Sequence, residues 1–542
     1  MKRILLYTFL SLGTLPILTG CYEDQSTEAS ITIPEIEIDT VGLNQYYNSD
    51  YKRYAIDVQQ FSKLTLSIPA SQEGVDNPDL TYEWKITMAP ESSNNADVDF
   101  MTISEEKDLE YEITQAPNTR PYLLWYRVTD KKNGIMKGMV WCIKIVSKYN
   151  EGLLVAQDTG TGDTDLSFLS SEQFTIGHTG EPSIVHNVYS NANEGAPIEG
   201  LVKQIMFYQR NVSGQGVMNH LVLIGDKFYQ HIDNGFKNYG RDAEVSYDAK
   251  QKFDPTQVGK CASAVILVNE GKVYAVTEAK LPYLSMNIPN SYTHPITGKD
   301  AECIVDKYVA MRHWSKNNAT WGLWYDKNNG IFLYQDYNYG PAVKNGMKTL
   351  PVANNAIFDP NNSPNLDTKY ASIGYNLEFY FIMQNKETKN YQVMVFDGSK
   401  IPAVPAALYH IPTSENAKLD QAISYYVSEE GKVIYFATKH DVYTIQLDAT
   451  VPTVNKIYSS NDEITYFSMF HQGFFEIQSQ PEYYQHKVLN THHNMLLVGT
   501  WNGSKGTLRT LPILNPTTGF IDASKESKYE GFGKILTVVH QQ

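Results

Sequence analysis

The sequence predicts an all-β protein: an immunoglobulin-like β-sandwich followed by a β-propeller of about seven blades. Three observations lead to this prediction. Tyrosine, glycine and proline are abundant, with 38, 35 and 24 copies among 542 residues, which is typical of many short strands joined by turns. Long runs with helical periodicity are scarce. Short phrases of a turn followed by a strand also recur through the last two thirds of the chain.

Residues 1–20 have the features of a signal peptide. Lys2 and Arg3 precede a mainly apolar stretch at 4–18, and the sequence Leu-Thr-Gly-Cys follows at 18–21. A cysteine after Leu-Thr-Gly resembles the bacterial lipobox, in which the cysteine thiol receives a lipid. We therefore predict cleavage before Cys21, lipidation of Cys21 and anchoring through acyl chains. The alternatives are an ordinary secretory signal with an incidental cysteine, and a membrane-spanning helix, for which the apolar stretch is short and interrupted.

Residues 21–30 are predicted to form a lipidated flexible tether, because they are polar and acidic and lack apolar periodicity. An acidic stretch directly after the lipidated cysteine resembles the surface-export signal of Bacteroidetes lipoproteins. The expected location is therefore the outer membrane, with the protein lipid-anchored and facing the cell exterior rather than the periplasm.

The charge balance argues against nucleic acid as a partner. The chain has 45 basic and 60 acidic residues and a net charge of −15, and removal of Lys2 and Arg3 with the signal peptide leaves about −17. Such a surface repels phosphate backbones, and no basic patch is interleaved with aromatic residues.

Residues 31–148 are predicted to form the β-sandwich. Tyr82, Trp84, Ile86 and Met88 alternate with polar residues, which places the tryptophan on one face of a half-buried strand. Farther on, two strand-like runs flank the sequence Asp-Lys-Lys-Asn-Gly at 130–134, a strong hairpin signal. The inter-sheet disulfide of immunoglobulin domains is missing, because Cys142 has no partner cysteine in this region. The module is therefore expected to be immunoglobulin-like, with Cys142 as an inert buried thiol.

Residues 149–542 are predicted to form the β-propeller. Turn-and-strand phrases that end in an aromatic residue occur at 224–229, 269–274, 329–334, 376–380 and 430–435. Their spacing is roughly 45 to 60 residues, the size of one four-stranded blade, so about 390 residues give roughly seven blades, with six or eight as alternatives. We expect the strand at 153–156 to pair with the strand at 535–539 and thereby to close the propeller into a ring. The competing architecture is a pair of β-sandwiches, which the irregular repeat lengths leave open.

These features together resemble the PKD-like family of Bacteroidetes lipoproteins. The matching sequences are the Leu-Thr-Gly-Cys motif, Ile-Glu-Ile at 36–38, Leu-Thr-Tyr-Glu-Trp at 80–84, Glu-Gly-Leu-Leu-Val at 151–155 and Gly-Phe-Gly-Lys-Ile at 531–535. The resemblance implies an accessory role in nutrient uptake beside a TonB-dependent SusC/SusD-like transporter pair. It carries over no catalytic residue and no ligand.

The sequence contains no motif that predicts an enzyme. A Gly-x-Ser-x-Gly elbow, a Walker loop, a Gly-x-Gly-x-x-Gly fingerprint, a His-Glu-x-x-His helix and the aspartate box of sialidase propellers are all missing. We therefore predict a non-enzymatic protein that needs no cofactor. Paired carboxylates of a hydrolase or lyase require proximity that a sequence cannot reveal, so a propeller hydrolase or lyase with a diverged site stays as the less favoured alternative.

A stretch rich in aromatic and amide side chains is the predicted ligand-binding segment. Sugar rings stack on aromatic faces, and their hydroxyl groups bind amides and carboxylates, so the two residue types together favour a glycan or peptide ligand. The alternative is that several of these rings fill the space between blades. The predicted binding residues are Trp314, Trp321, Trp324, Tyr325, Tyr337 and Tyr339, with Trp314, Tyr337 and Tyr339 expected to be the more exposed.

Two further groups of residues suggest metal binding, and for both we predict no metal site. His471, His486, His492 and His493 offer imidazoles, but adjacent histidines on a strand point to opposite faces, so at most one of His492 and His493 is expected to join a site. The acidic stretch at 158–165 does not follow the spacing of calcium loops and is expected to be a hairpin turn.

The four cysteines fit an exported protein with few disulfides. Cys21 is assigned to lipid, Cys261 and Cys303 are able to pair in an oxidising compartment, and no Cys-x-x-Cys is present.

The function that we favour is a surface lipoprotein whose sandwich is a spacer and whose propeller binds a ligand or the transporter pair. The main alternative is a structural subunit that holds the transporter complex together without touching nutrient.

Overall fold

The computed structural model describes residues 33–48, 53–60, 62–89, 100–115, 121–146, 149, 151–212, 216–246, 248–261, 264–277, 286–287, 290–311, 320, 322–335, 347–473 and 488–541. Strands and the turns between them make up nearly all of this part of the chain, so the protein is all-β, as predicted. The described residues include two short α-helices: α1 spans Val188–Ala192 and α2 spans Asn416–Leu419. Among the described residues, no helix has the length and apolar character needed to cross a membrane.

The N-terminal sandwich consists of one large sheet and two small ones. The large sheet has the strand order β2-β3-β10-β9-β6-β7, and β1 pairs with β5 and β4 with β8 in the small sheets. Strands β3 and β10 run parallel, whereas the other pairs are antiparallel. The strand bounds are β1 Ile36–Ile38, β2 Tyr47–Asn48, β3 Arg53–Gln59, β4 Lys63–Leu66, β5 Ala70–Gln72, β6 Leu80–Met88, β7 Met101–Ser104, β8 Leu109–Glu112, β9 Tyr122–Asp130 and β10 Met136–Val146.

The alternating pattern around Trp84 builds the core of the sandwich. Trp84 is fully buried on β6, and its indole N–H donates to the Glu106 carbonyl at 3.0 Å. Trp84 packs against Tyr126 with ring centroids 4.3 Å apart, and both belong to a single core with Trp141. The β9–β10 hairpin lies where the sequence predicts it, and Cys142 is a buried free thiol, also as predicted.

The described residues of the second region form seven sheets of four or five strands, within the range of six to eight repeats predicted from the sequence. Sheets 1 to 4 have the orders β13-β12-β11-β41, β14-β15-β16-β17, β18-β19-β20-β21 and β24-β25-β26-β27. Their bounds are β11 Gly152–Asp158, β12 Thr164–Ser170, β13 Ser183–Val185, β14 Val202–Val212, β15 Gly216–Gly225, β16 Tyr229–Asp233, β17 Asn238–Arg241, β18 Pro255–Cys261, β19 Ala264–Asn269, β20 Lys272–Thr277, β21 Met286–Asn287, β24 Val305–Met311, β25 Gly322–Asp326, β26 Ile331–Gln335, β27 Lys348–Thr349 and β41 Lys534–Gln541.

Sheets 5 to 7 have the orders β28-β29-β30-β31, β32-β33-β34-β35 and β36-β37-β38-β39, with β40 also paired to β38. A small pair, β22 with β23, lies between sheets 3 and 4 in the chain. The remaining bounds are β22 Ser291–Thr293, β23 Asp300–Glu302, β28 Leu366–Ile373, β29 Phe379–Asn385, β30 Tyr391–Asp397, β31 Val404–His410, β32 Ser424–Val427, β33 Val433–Ala437, β34 Asp441–Gln446, β35 Thr453–Ser459, β36 Glu463–Met469, β37 Met495–Trp501, β38 Gly506–Asn515, β39 Phe520–Ile521 and β40 Ser527–Phe532.

The seven sheets pack in a cyclic order. One edge strand of each sheet contacts an edge strand of the next, in the sequence β41, β14, β18, β24, β28, β32, β36 and back to β41. The buried apolar residues divide into seven clusters, each between two consecutive sheets. Each sheet is therefore apolar on both faces, because it buries one face against the preceding sheet and the other against the following one.

The two ends of this region join in one sheet, as the sequence predicts. Leu153 of β11 pairs with His540 of β41, and Ala156 pairs with Thr537. The acidic stretch at 158–165 is the predicted hairpin turn, since β11 and β12 are antiparallel. Its carboxylates accept backbone N–H groups: Asp158 from Gly160 at 2.7 Å and Asp163 from Gly200 at 3.0 Å.

The repeated phrases do not occupy equivalent strands. Those at 224–229, 269–274 and 329–334 lead into or overlap the third strands of their sheets, whereas those at 376–380 and 430–435 overlap or lead into the second strands. The longest interval, from 269 to 329, also contains the additional pair β22–β23. Cys303, for which pairing with Cys261 was left open, is a buried free thiol whose pKa is raised by burial.

Candidate functional site

The edge strands of all seven sheets meet at a cavity of about 520 Å³. This volume lies within the range of about 300–1,000 Å³ that is usual for small-ligand sites. Each sheet contributes at least one residue to the cavity lining. One residue from each edge strand is Phe207, Lys260, Met311, Ser372, Tyr426, Ser468 and Val539. The wall therefore combines hydroxyl, ammonium and apolar groups drawn from residues that are far apart in the sequence.

Side-chain amides fix neighbouring edge strands against one another. The Gln204 amide donates to the Val258 carbonyl at 2.8 Å and accepts the Val258 N–H at 3.0 Å. Gln257, on the next edge strand, makes the same pair of bonds with Val309, at 3.1 and 2.7 Å. These bonds satisfy edge-strand backbone groups that would otherwise face the cavity without a partner. The cavity wall is thus held by specific hydrogen bonds as well as by packing.

Three histidines lie together on this wall, in the segments that follow β36 and precede β37. The ring centroids of His471 and His493 are 4.2 Å apart, and those of His492 and His493 are 3.8 Å apart. The prediction that His492 and His493 point to opposite faces was wrong, because they lie in a turn rather than on a strand. His493 has the left-handed φ of 57°, which turns its side chain to the same side as that of His492. His486 lies outside the described residues.

Hydrogen bonds orient two of these rings. The Tyr426 hydroxyl lies 2.7 Å from His471 Nε2, and the Gln472 backbone N–H donates to His492 Nδ1 at 2.9 Å. His493 Nδ1 lies 3.4 Å from the Glu430 carboxylate. Burial, reinforced by the neighbouring His493, lowers the pKa of His492 to about 3, so this imidazole is neutral at physiological pH. One nitrogen from each of the three residues lies within 4.8 Å of the others, a spacing at which side chains are able to share a metal ion.

A fourth histidine, His540, holds the chain next to His471 in place through hydrogen bonds to backbone groups. His540 accepts the Gly473 N–H at Nδ1 (2.9 Å) and, through Nε2, donates to the Phe174 carbonyl at 2.7 Å. Burial lowers its pKa to about 4. Gly473 lies so close to the His540 carbonyl that a Cβ atom would collide with that oxygen. Both ring nitrogens of His540 are occupied by backbone groups, so this residue positions the chain and is not a ligand.

The aromatic prediction needs correction for two residues. Trp324 and Tyr325 are only 2% and 0% exposed, because they fill the cores between sheets 3 and 4 and between sheets 4 and 5. The Trp324 indole N–H donates to the Met347 sulfur at 3.2 Å, and the Tyr325 hydroxyl donates to the Ser363 carbonyl at 2.8 Å. Neither ring is available to a ligand. The other predicted binding residues, Trp314, Trp321, Tyr337 and Tyr339, lie outside the described residues.

A second, smaller cavity of about 240 Å³ lies beside the first and is rich in tyrosine. Tyr370 lines both cavities and is 5.6 Å from Tyr308 between ring centroids. Tyr391 donates its hydroxyl proton to the Asp420 carboxylate at 2.8 Å. The sequence does not single out these tyrosines, because they occur singly on separate strands. A tyrosine recurs on or near the edge strand of each of sheets 4, 5 and 6, and this repeated position is the pattern that could have identified them.

Comparison with known proteins supports a relationship for the N-terminal region. A sequence model described as the PKD-like family matches residues 21–200, which covers the sandwich and continues into sheet 1. The N-terminal domain is therefore PKD-like. No curated protein matches the chain significantly. Among solved structures, a quinonprotein alcohol dehydrogenase-like protein from Bacteroides thetaiotaomicron is similar at 10% identity over 94% of this chain and 99% of that chain, with a TM-score of 0.39.

Proposed function

We propose that this chain is a non-catalytic surface lipoprotein whose second region is a seven-bladed β-propeller with a ligand site in its central cavity. The ligand class that we propose is a glycan or peptide. The protein would be anchored in the outer membrane through lipid on Cys21, with the PKD-like domain as a spacer. Its partners would be a TonB-dependent SusC/SusD-like transporter pair.

The cyclic packing of the sheets supports the propeller. Seven edge strands contact one another in a ring, and seven apolar cores alternate with the seven sheets. Sheet 1 combines strands from both ends of the region, β11 and β41, which is how propellers join their first and last blades. A pair of β-sandwiches would have two cores and no such ring.

The single observation that carries the binding proposal is the cavity of about 520 Å³ at the meeting point of the edge strands. Its wall offers hydroxyl groups from Ser372, Tyr426 and Ser468, opposite charges from Lys260 and Glu429, and apolar surface such as Met311. Specific small-ligand sites combine a mainly apolar wall with a few convergent polar groups. A polyhydroxylated or amide-rich ligand matches that mixture.

Sheet 4 reaches the cavity at one end of its strands. Met311 of β24 pairs with Gly322 of β25, and Gly322 pairs with Gln335 of β26. All three residues therefore lie at the same end of sheet 4. Met311 lines the cavity. Trp314, Trp321, Tyr337 and Tyr339 lie outside the described residues, and we retain them in the proposed glycan or peptide site because of their residue types in the sequence.

The location and the partners rest on the sequence and on the family match. The Leu-Thr-Gly-Cys motif and the acidic residues after it support lipidation and surface export. The match of residues 21–200 to the PKD-like family agrees with the resemblance from which the transporter pair was inferred. Substitution Cys21→Ser is expected to move the protein from the membrane fraction to the soluble fraction, and membrane retention of this variant would contradict the anchor.

Glycan and peptide arrays probed with detergent-solubilised lipoprotein test the ligand site. Ser372→Trp places a bulky ring in the cavity and is expected to weaken binding by at least about tenfold, equivalent to about 1.4 kcal/mol. Ser504→Trp is the matched control, because Ser504 is exposed in the β37–β38 turn, at the end of sheet 7 opposite the histidine segment. Equal binding by both variants would exclude the cavity. Absence of binding to any array, together with co-purification of a transporter, would favour the structural-subunit function.

A further inference from the structure

We propose that His471, His492 and His493 form a binding site for a divalent transition-metal ion on the wall of the central cavity. This inference goes beyond the proposed function, because neither lipid anchoring nor ligand binding in the cavity requires an ion. It also reverses the expectation from the sequence that these residues bind no metal. Among the described residues, this is the one group of three histidine, cysteine or acidic side chains with the spacing of a metal site.

The distances require only a modest closing of the side chains. One nitrogen from each histidine lies within 4.8 Å of the others. Zinc binds imidazole nitrogen at about 2.0–2.1 Å in tetrahedral geometry, which separates the ligand atoms by about 3.3 Å. The nitrogens must therefore approach one another by up to about 1.5 Å. Rotation about side-chain bonds supplies such a change, and His492 and His493 belong to a turn rather than to a hydrogen-bonded strand.

Two of the rings already have the outer partners that metal-binding histidines use. The Tyr426 hydroxyl lies 2.7 Å from His471 Nε2. The Glu430 carboxylate lies 3.4 Å from His493 Nδ1. In metal sites, a carboxylate that accepts a hydrogen bond from the second ring nitrogen fixes the tautomer and makes the ligand nitrogen more basic. His471 and His493 are therefore assigned as the principal ligands.

His492 is the weaker third ligand. Its Nδ1 accepts the Gln472 N–H at 2.9 Å, so in the neutral ring the proton lies on Nε2. This nitrogen binds an ion only after the ring releases the Gln472 N–H and changes tautomer. The coordination bond offsets the loss of one hydrogen bond of about 1 kcal/mol.

Imidazole ligands without thiolates favour zinc, copper or nickel over magnesium and calcium. All three histidines line the cavity together with Glu429 and Ser468. Coordination positions that the imidazoles leave open would face this space, where oxygen atoms of a bound ligand are able to reach the ion. The competing explanation is that the three rings are packed together only to fill the segment between β36 and β37.

Titration of the full lipidated protein with cobalt and zinc separates these explanations. The protein is purified in detergent without a polyhistidine tag, treated with EDTA and titrated with CoCl₂, whose visible absorption reports nitrogen coordination. Calorimetry with ZnCl₂ then gives the stoichiometry. We expect one ion per chain and a melting temperature that rises with excess zinc, because an ion that binds the folded state stabilises it.

Conservative variants identify the ligands. His471→Gln keeps a polar group beside Tyr426, and His493→Asn suits the left-handed backbone at this position; each is expected to weaken zinc binding by at least about tenfold, within the range of 10–100-fold that even outer-shell changes produce. Glu430→Gln tests the outer shell and is expected to weaken binding about tenfold. His410→Ala is the control, because His410 is exposed on β31, and it should bind like the unaltered protein.

Two results would overturn the inference. One is that the unaltered protein binds neither cobalt nor zinc under these conditions. The other is that His471→Gln and His493→Asn, with unchanged circular dichroism spectra, bind zinc as tightly as His410→Ala does. Because the probe is the ion alone, failure here leaves the glycan or peptide proposal intact, and failure of the arrays leaves the metal site intact.

Discussion

The PKD-like sandwich and the seven-sheet region are both built from strands, but they bury apolar surface in different ways. The sandwich has one core around Trp84 and Trp141, and its sheet joins distant segments, as in the pairing of Trp141 with Tyr54. The second region pairs strands that are neighbours in sequence, apart from β11 with β41 and β38 with β40, and divides its apolar residues among seven cores. A single core fills its own centre, whereas sheets packed in a ring leave their edge strands around a shared space. The ligand site that we propose follows from this second arrangement.

The two regions also differ in the ionisable groups that they bury. Residues 31–148 contain no histidine, and all 13 histidines follow residue 177. The second region buries His231 and His540 completely or nearly so. In the sandwich, Gln72 and the Lys132 N–H hydrogen-bond to Asp130 and lower the pKa of this carboxyl below its usual range. The regions should therefore lose stability at different pH values and through different substitutions.

Removal of β41 should have the largest effect and should act on one region alone. Truncation before Lys534 deletes the strand that pairs with β11 and removes the buried residues Ile535 and Val538. We expect the second region to lose its cooperative urea transition, because two neighbouring cores open at once, while the sandwich transition persists. Deletion of Gln542 alone is the control. An unchanged transition for the second region in the truncated protein would contradict closure through β41.

Trp84→Ala should destabilise the sandwich by about 3–5 kcal/mol, the usual cost of truncating a buried tryptophan. The side chain is fully buried and packs against Tyr126, so the substitution leaves a cavity in the core. Trp84→Phe, which fills part of that space, should cost less. Urea unfolding followed by fluorescence and by limited proteolysis distinguishes the two regions. An equal loss of stability in the seven-sheet region would show that the regions are not independent.

Lowering the pH from 7.5 to 5 should destabilise the second region and spare the sandwich. Burial lowers the pKa of His231 from 6.5 to about 3. The unfolded chain therefore binds a proton below pH 6.5 that the folded chain does not, so this stabilising contribution is present above pH 6.5 and is lost as the pH falls towards 3. At pH 5 the loss is about 2 kcal/mol, at 1.36 kcal/mol per pH unit.

The sandwich should also lose stability as the pH falls, but only at lower pH values than the second region. The lowered pKa of Asp130 stabilises the fold above the usual aspartate pKa of about 4, and this contribution is lost only as the pH falls below that value. Urea titrations at pH 7.5 and 5 check the difference, and His231→Gln should flatten the dependence of the second region. A sandwich that loses as much stability as the second region between these pH values would contradict the assignment.

Removal of an ion pair should reduce the stability of the protein least. Of two such pairs, the one in the second region should contribute more to stability. Arg509 lies 2.8 Å from Glu526 and 3.3 Å from Asp462, and its side chain is 15% exposed. Arg509→Met leaves two partly buried carboxylates without this partner and should cost about 1–3 kcal/mol. In the sandwich, Lys63 pairs with Glu110 at 2.6 Å, but both side chains are more than half exposed, so Lys63→Ala should cost less than about 1 kcal/mol. Denaturant midpoints of the two variants measure this ranking.

Local patterns in the sequence predicted much of the fold. The alternation around Trp84, the Asn-Gly turn after β9 and the pairing of the chain ends of the second region depend on short-range periodicity or on strongly apolar strands, and the structure agrees with each. The number of sheets also followed from the repeated phrases. These phrases mark second strands in some sheets and third strands in others, so they could not identify the edge strands that line the cavity.

The candidate site was harder to predict because it depends on contacts between distant residues. Lys260, Ser372 and Tyr426 meet only when the sheets pack in a ring. Trp324 and Tyr325 have the composition of a binding segment, but their strand is buried on both faces. The histidine prediction failed for a local reason: His492 and His493 were assigned to a strand, whereas a left-handed residue in a turn brings both rings to one side.

The central claim is that the seven-sheet region binds the ligand and that the sandwich does not. Hydrogen–deuterium exchange of the lipidated protein, with and without a ligand selected from the arrays, tests this claim most directly. We predict slower exchange on ligand addition in peptides that contain 257–261, 309–311, 370–373, 426–429 and 468–473, with no change in 33–146. Slower exchange confined to 33–146 would contradict the account.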